Sequence, residues 1–248
     1  MSHDLLAIIG GTGLTSLRGL AITRREVVRT PYGEPSGPLT HGQLAGHDVV
    51  FIARHGYGHT IPPHRVNYRA NLWALKEAGV SRIMAVNAVG GIAPGFGPGC
   101  LAIPDQLIDY TWGRAHTYFE DGLTQVTHVD FTYPYCETLR QQLLAAAAAA
   151  GVTVAPLGTY GATQGPRLES AAEIDRLERD GCHLVGMTGM PEAALARELS
   201  LCYACCAVVA NWGAGRGEGL IEMADIERVL RTGMEEVRRI AEQLITAQ

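Results

Sequence analysis

Charge is scarce in this chain. Charged residues make up 18%, and 20 Lys and Arg against 25 Asp and Glu leave a net charge of −5 at pH 7. Without a run of Lys or Arg there is no basic face for a nucleic-acid backbone or an anionic membrane surface. The apolar runs are too short to span a bilayer, and the N-terminus lacks a basic region followed by an apolar stretch and a cleavage site. A cytoplasmic protein acting on small molecules is expected. The six cysteines, Cys100, Cys136, Cys182, Cys202, Cys205 and Cys206, form neither a dense framework nor a pair of metal knuckles. They are expected to be reduced. Cys202 and Cys205 make a C-x-x-C, but they stand in an apolar run where cysteine behaves as a small hydrophobe. There is no H-E-x-x-H zinc spacing and no Ser/His/Asp triad is needed; His41, His59 and His64 read as loop or phosphate-side groups. Internal repeats and Pro/Ser-rich linkers are also lacking, so residues 1–248 read as a single domain.

Hydrophobic residues, at 47%, supply ample material for a core. Leu5 to Ile9 reads as a buried strand opening into the glycine loop Gly10, Gly11, Thr12, Gly13. Further strands are expected over Asp48 to Ala53, Ile83 to Val86, Val152 to Tyr160, Leu184 to Met187 and Leu201 to Ala210. Helices are expected over Asn67 to Ala78, Glu137 to Ala150, Ser170 to Asp180 and Asp225 to Thr246, the first three stopped by Gly79, Gly151 and Gly181. This alternation predicts an α/β fold, a central mixed β-sheet flanked by helices.

Polar or small residues recur just after these strands: Thr12, then Arg54 and His55, then Asn87 and Ala88, then Thr188, then Asn211. Ligands of open α/β sheets gather at the carboxyl ends of strands, so one shared site is expected there. The glycine turn exposes backbone N–H groups to an anion, and Arg54 offers a planar fork of donors suited to phosphate. The turn lacks the third glycine of a dinucleotide fingerprint and the Gly-Lys-Ser/Thr of a P-loop.

Five stretches then resemble one family: IIGGTG from Ile8, ARHGYGHT from Ala53, VNYRANLWALKE from Val66, GPR from Gly165 and MTGMPEAALARE from Met187. They look like methylthioadenosine phosphorylase, of the trimeric purine nucleoside phosphorylases. The resemblance runs from about Leu5 to beyond Val229. It implies a nucleoside phosphorylase fold, with Thr12, Arg54, His55, Asn87, Ala88 and Thr188 binding phosphate. Leu168, Met187, Asn211, Trp212 and Gly213 would hold the nucleoside. His128 matches a residue that completes the 5′ pocket of a neighbouring subunit, which implies a homotrimer. Inorganic phosphate is a co-substrate, and no metal or organic cofactor is expected.

Two departures bear on the base. Asn211 and Gly213 stand where methylthioadenosine phosphorylase has two Asp residues, and Glu169 stands where it has Ser. An amide can donate to oxygen-6 of a 6-oxopurine and accept from a protonated nitrogen-7, while a carboxylate accepts the nitrogen-1 hydrogen that adenine lacks. NAVGG, Asn87 to Gly91, also resembles the 6-oxopurine enzymes. Asn211 and Glu169 are therefore the expected catalytic and base-selecting pair, against the alternative of a turn former and a solvated charge. Met223, Ile226 and Val229 either line an apolar 5′ pocket or are ordinary core positions of an amphipathic helix. Together these point to phosphorolysis of 5′-methylthioinosine. Methylthioadenosine, inosine or guanosine as substrate, and a non-catalytic nucleoside sensor, remain alternatives.

Overall fold

In the computed structural model, residues 5–247 are described. The strands are β1 (Leu5–Gly10), β2 (Ala21–Glu26), β3 (Leu39–Leu44), β4 (His47–Ala53), β5 (Val80–Gly91), β6 (Leu101–Ala102), β7 (Gln106–Asp109), β8 (Val154–Ala155), β9 (Thr159–Ala162), β10 (Leu184–Gly186) and β11 (Cys202–Trp212). The α-helices are α1 (Tyr68–Glu77), α2 (Glu137–Ala149), α3 (Ala171–Arg179), α4 (Glu192–Glu198) and α5 (Met223–Thr246). All eleven strands join one mixed sheet in the order β2-β3-β4-β1-β5-β10-β9-β7, with β11 branching from β5 and carrying β6 and β8.

The core follows from strands buried on both faces. In β1, Leu6 and Ile8 enter one cluster while Ala7 and Ile9 enter another, the period-2 alternation of a central parallel strand. The first cluster is closed by α2 and α5 through Leu139, Leu143, Leu230, Met234, Val237 and Ile240. The second is closed by α1 and α4 through Leu72, Leu75, Leu195 and Ala196. A third, under α3, holds Ile92, Ile174, Leu177, Cys182 and Val185.

Helix ends follow the chemistry of their caps. Asn67 caps α1 by accepting from the Ala70 amide at 3.1 Å. Ser170 and Glu173 form a reciprocal capping box on α3, which fixes the direction of the preceding segment 165–169. The edge strand β2 was not evident in the sequence because AITRRE is largely exposed and carries no apolar alternation, and its neighbour β3 went unnoticed with it. Helix α4 was also missed, being only seven residues long.

One expectation about the cysteines is corrected. Cys136 and Cys202 form a disulfide across 66 residues of sequence, so they are not reduced thiols. The Cys136 amide donates to the Tyr203 carbonyl at 2.8 Å, pinning the entry to α2 against the start of β11. Counting and spacing cannot show that juxtaposition, because the sheet creates it. Cys205 and Cys206 are buried thiols. Among the described residues no helix is long and apolar enough to cross a membrane.

Gly233 is where α5 presses closest on the sheet: an added Cβ would stand 2.5 Å from Val208 Cγ1. Gly→Ala gains about 1 kcal/mol of helix propensity, whereas overpacking against a stiff β-branched side chain costs about 1–3 kcal/mol. Gly233→Ala is therefore expected to lower the melting temperature despite its better helix propensity, by roughly 2–4 °C for each kcal/mol of net loss. Calorimetry of the two proteins checks the sign.

Candidate active site

The carboxyl ends of β1, β4, β5 and β11 and the turn after β10 meet at one cavity of about 420 Å³. Parallel pairing creates this convergence. β1 lies between β4 and β5, with Gly10 opposite Ala53 and Ile9 opposite Ala85, so Gly11, Arg54 and Ala88 emerge side by side. β11 pairs with β5 along its length, but Val209 stands opposite Val89 and Asn211 opposite Gly90. Ala210 is thus an extra residue, a bulge of the kind that re-aims the side chain beyond it, and Asn211 reaches the cavity wall.

Thr12, Arg54, His55, Ala88 and Thr188 line the cavity and bring a cation and several hydrogen-bond donors to it. Arg54 has no exposed surface; its Nε and Nη2 donate to Glu192 Oε2 and Oε1, both at 2.7 Å, and Nη1 donates to the Val86 carbonyl at 2.9 Å. Burial works against the cation, but the charge and hydrogen bonds of Glu192 outweigh it and hold the guanidinium pKa above its ordinary value. Gly11 covers the fork: a Cβ there would lie 2.9 Å from Arg54 Nη1 and 2.5 Å from the Val86 oxygen. Thr188 Oγ1 accepts from Asn87 Nδ2 at 2.8 Å, which leaves its own hydrogen to donate elsewhere.

His55 Nδ1 lies 2.8 Å from the Ile61 carbonyl oxygen, which can only accept, so Nδ1 carries a hydrogen. Burial, and then the Arg54 charge, push its pKa down to about 4, with the bond to Ile61 opposing them.

Leu168, Glu169, Asn211 and Gly213 also line the cavity. Glu169 Oε1 accepts from the Thr163 hydroxyl at 2.6 Å, and Asn211 Nδ2 donates to the Trp212 carbonyl at 2.7 Å. Its apolar lining is Met187, Met223 and Ile226, joined by Ile61, Pro62, Pro63 and Ile221. One buried cation ties these segments together. Arg114 Nη1 donates to the carbonyls of Met187 (2.8 Å) and Met190 (2.6 Å), Nη2 to those of Thr163 (3.2 Å) and Gln164 (2.8 Å), and Nε to Gln164 Oε1 (3.1 Å).

Four expected residues lie elsewhere. Asn87 is buried behind Thr188, which it orients, and gives no surface to the cavity. Trp212 and Val229 line a neighbouring recess formed with the glycine-rich segment after β11, and neither belongs to the lining of the main cavity. His128 is exposed in the segment before α2 and lies outside this chain's cavity wall. Sequence reasoning missed Glu192, Arg114 and the apolar group Ile61, Pro62, Pro63 and Ile221. Glu192 lies within MTGMPEAALARE, and a carboxylate directly before the apolar run Ala193 to Ala196 was the available signal.

A mixed α/β sheet whose strand ends bring a cation, hydroxyls, an amide and a carboxylate to one cavity defines a class. The chain belongs to the Phosphorylase superfamily, whose model matches residues 5–246. Among its relatives, a protein of Pseudomonas syringae pv. tomato named "Probable S-methyl-5'-thioinosine phosphorylase" is 58% identical, covering 97% of this chain and 98% of the relative. The 6-oxopurine nucleoside phosphorylase of Pyrococcus furiosus is 43% identical, covering 95% of this chain and 89% of the relative. Among solved structures, methylthioadenosine phosphorylase from Schistosoma mansoni in complex with adenine superposes with a TM-score of 0.95 at 32% identity, covering 99% of this chain and 92% of that one.

The depressed pKa of His55 makes stability depend on pH. Between its ordinary value of 6.5 and about 4, the unfolded chain binds the proton and the folded protein does not. The contribution is present above 6.5 and is lost as pH falls through that window. Urea unfolding from pH 7 to 4 should show a slope that His55→Gln reduces.

Proposed function

We propose that this protein is a phosphate-dependent purine nucleoside phosphorylase that converts S-methyl-5′-thioinosine and phosphate into hypoxanthine and 5-methylthioribose 1-phosphate. The observation that carries this reading is a single cavity whose lining includes Arg54 and Thr188, Asn211 and Glu169, and Met187. The names of the thioinosine and 6-oxopurine relatives support the same choice of base.

Phosphate sits on Arg54, Thr12, Thr188 and the backbone of Gly11 and Ala88, close to the face of the sugar opposite the base. As the glycosidic bond lengthens, positive charge grows on the ribosyl group and negative charge on the purine. The phosphate anion offsets the first and is also the nucleophile. For the second, the Asn211 amide turns from the Trp212 carbonyl to donate to oxygen-6, and its oxygen accepts from nitrogen-7 once that atom has taken a proton from solvent, so that the base leaves as neutral hypoxanthine. Glu169, held by Thr163, accepts the nitrogen-1 hydrogen and keeps the ring in register. Met187 covers the sugar and excludes water from the reactive carbon. Nucleophile and leaving-group stabilisation both come from these groups and phosphate, so no metal or organic cofactor is invoked.

The methylthio group lies against Ile226, Met223 and Ile221, an apolar lining poorly matched to a 5′-hydroxyl. This side is open in the single chain, with Met223 60% and Leu168 43% exposed. We infer a homotrimer in which His128 of an adjoining copy helps close it.

Base release measured from methylthioinosine, methylthioadenosine, inosine and guanosine, with and without phosphate, tests the reading. Methylthioinosine is expected to have the highest kcat/KM, with no release lacking phosphate. Tight nucleoside binding without turnover would favour a sensor, and a preference for methylthioadenosine would reject the base assignment. A mismatched buried donor or acceptor costs about 1–3 kcal/mol, so Asn211→Asp with Glu169→Ser should shift the 6-oxo to 6-amino ratio of kcat/KM by roughly 10-fold or more. An unchanged ratio counts against this slot as the source of selectivity.

A further inference from the structure

The carboxylate beneath the anion floor has no place in the reaction as derived so far. Glu192 is completely buried, and three donors converge on it: Nε and Nη2 of Arg54 at 2.7 Å each, and the Tyr203 hydroxyl at 2.8 Å on Oε1. Tyr203 is itself held, since the Tyr135 ring stacks on it at 6.2 Å between centroids and 12° between planes.

We propose that Glu192 is a positioning residue for phosphate, acting through Arg54. A guanidinium has five N–H bonds in one plane. Glu192 takes two and the Val86 carbonyl a third, which leaves one N–H on each terminal nitrogen beside the cavity. A bidentate carboxylate along one edge fixes both the plane and the rotation of the group, so the remaining donors are aimed before the anion arrives. The same contact satisfies a buried cation while the cavity is empty. Glu192 also lies four residues beyond Thr188, so the segment that presents a phosphate-side hydroxyl also anchors the phosphate-side cation.

The inference rests on Arg54 facing phosphate, as in the reaction proposed above. Its test is the kinetics of Glu192→Gln with methylthioinosine, alongside calorimetric titration of each protein with inorganic phosphate. Gln offers one acceptor and directs an NH₂ at the fork, so the KM and Kd for phosphate should rise at least tenfold while the KM for the nucleoside changes less than threefold. Loss of folded protein alone would lower kcat and leave both KM values in place, and that result overturns the proposal. If Glu192→Gln does not fold, Tyr203→Phe decides: it should raise the phosphate KM two- to fivefold at constant nucleoside KM, and an unchanged phosphate KM overturns the proposal. Combining Glu192→Gln with Arg54→Lys should add less than twofold to the effect of Arg54→Lys, because the two act in series. Wild-type protein that binds phosphate without turnover would remove the proposed reaction and leave Glu192 its role. A Glu192→Gln protein that binds phosphate as tightly as wild type would remove that role and leave the reaction.

Discussion

A charged pair held in the dry centre of the molecule governs what the cavity above it can do. Arg54 and Glu192 have no exposed surface and meet edge to edge. Desolvating two ions carries a penalty that their attraction repays only with good geometry, and removing one partner of such a pair typically costs about 3–5 kcal/mol. Stability alone could have been served by apolar residues of similar volume. The arrangement is better understood as preorganisation: a cation too far from water to wander, with donors left over toward a ligand.

The sheet supplies the second constraint. Three neighbouring parallel strands, β4, β1 and β5, deliver Arg54, the Gly11 turn and Ala88 to one level, and β11 adds Asn211 after a single extra residue. Arg114 then joins the segments of Thr163 and Met187 through uncharged acceptors alone. The segments that carry Thr188, Met187 and Glu169 are therefore mechanically connected. A shift of one ångström in any of them would be felt by the others, and geometry at that scale matters for rate.

Much of this was legible in the sequence because it depends on local pattern. Apolar runs with period 2, glycine stops and polar residues at strand ends correctly placed β1, β4, β5, β10 and β11 and the long helices. They also indicated that Thr12, Arg54, Thr188 and Asn211 share a crevice. What was not legible depends on pairing across the chain. Glu192 meets Arg54 over 138 residues of sequence, and Cys136 meets Cys202 over 66. The exclusion of Asn87 from the wall and of Trp212 from the main cavity turns on which way a side chain faces along a strand, where one position reverses the outcome, and Val229 leaves the cavity three residues beyond Ile226 on α5. The apolar residues Ile61, Pro62, Pro63 and Ile221 went unnoticed because short loops carry no periodicity.

The most direct measurement is a crystal structure of the protein with phosphate and hypoxanthine bound together. The account predicts phosphate oxygens within hydrogen-bond distance of an Arg54 terminal nitrogen and Thr188 Oγ1, and oxygen-6 and nitrogen-1 of the base on Asn211 and Glu169. Phosphate bound away from Arg54, or a base touching neither Asn211 nor Glu169, would contradict it.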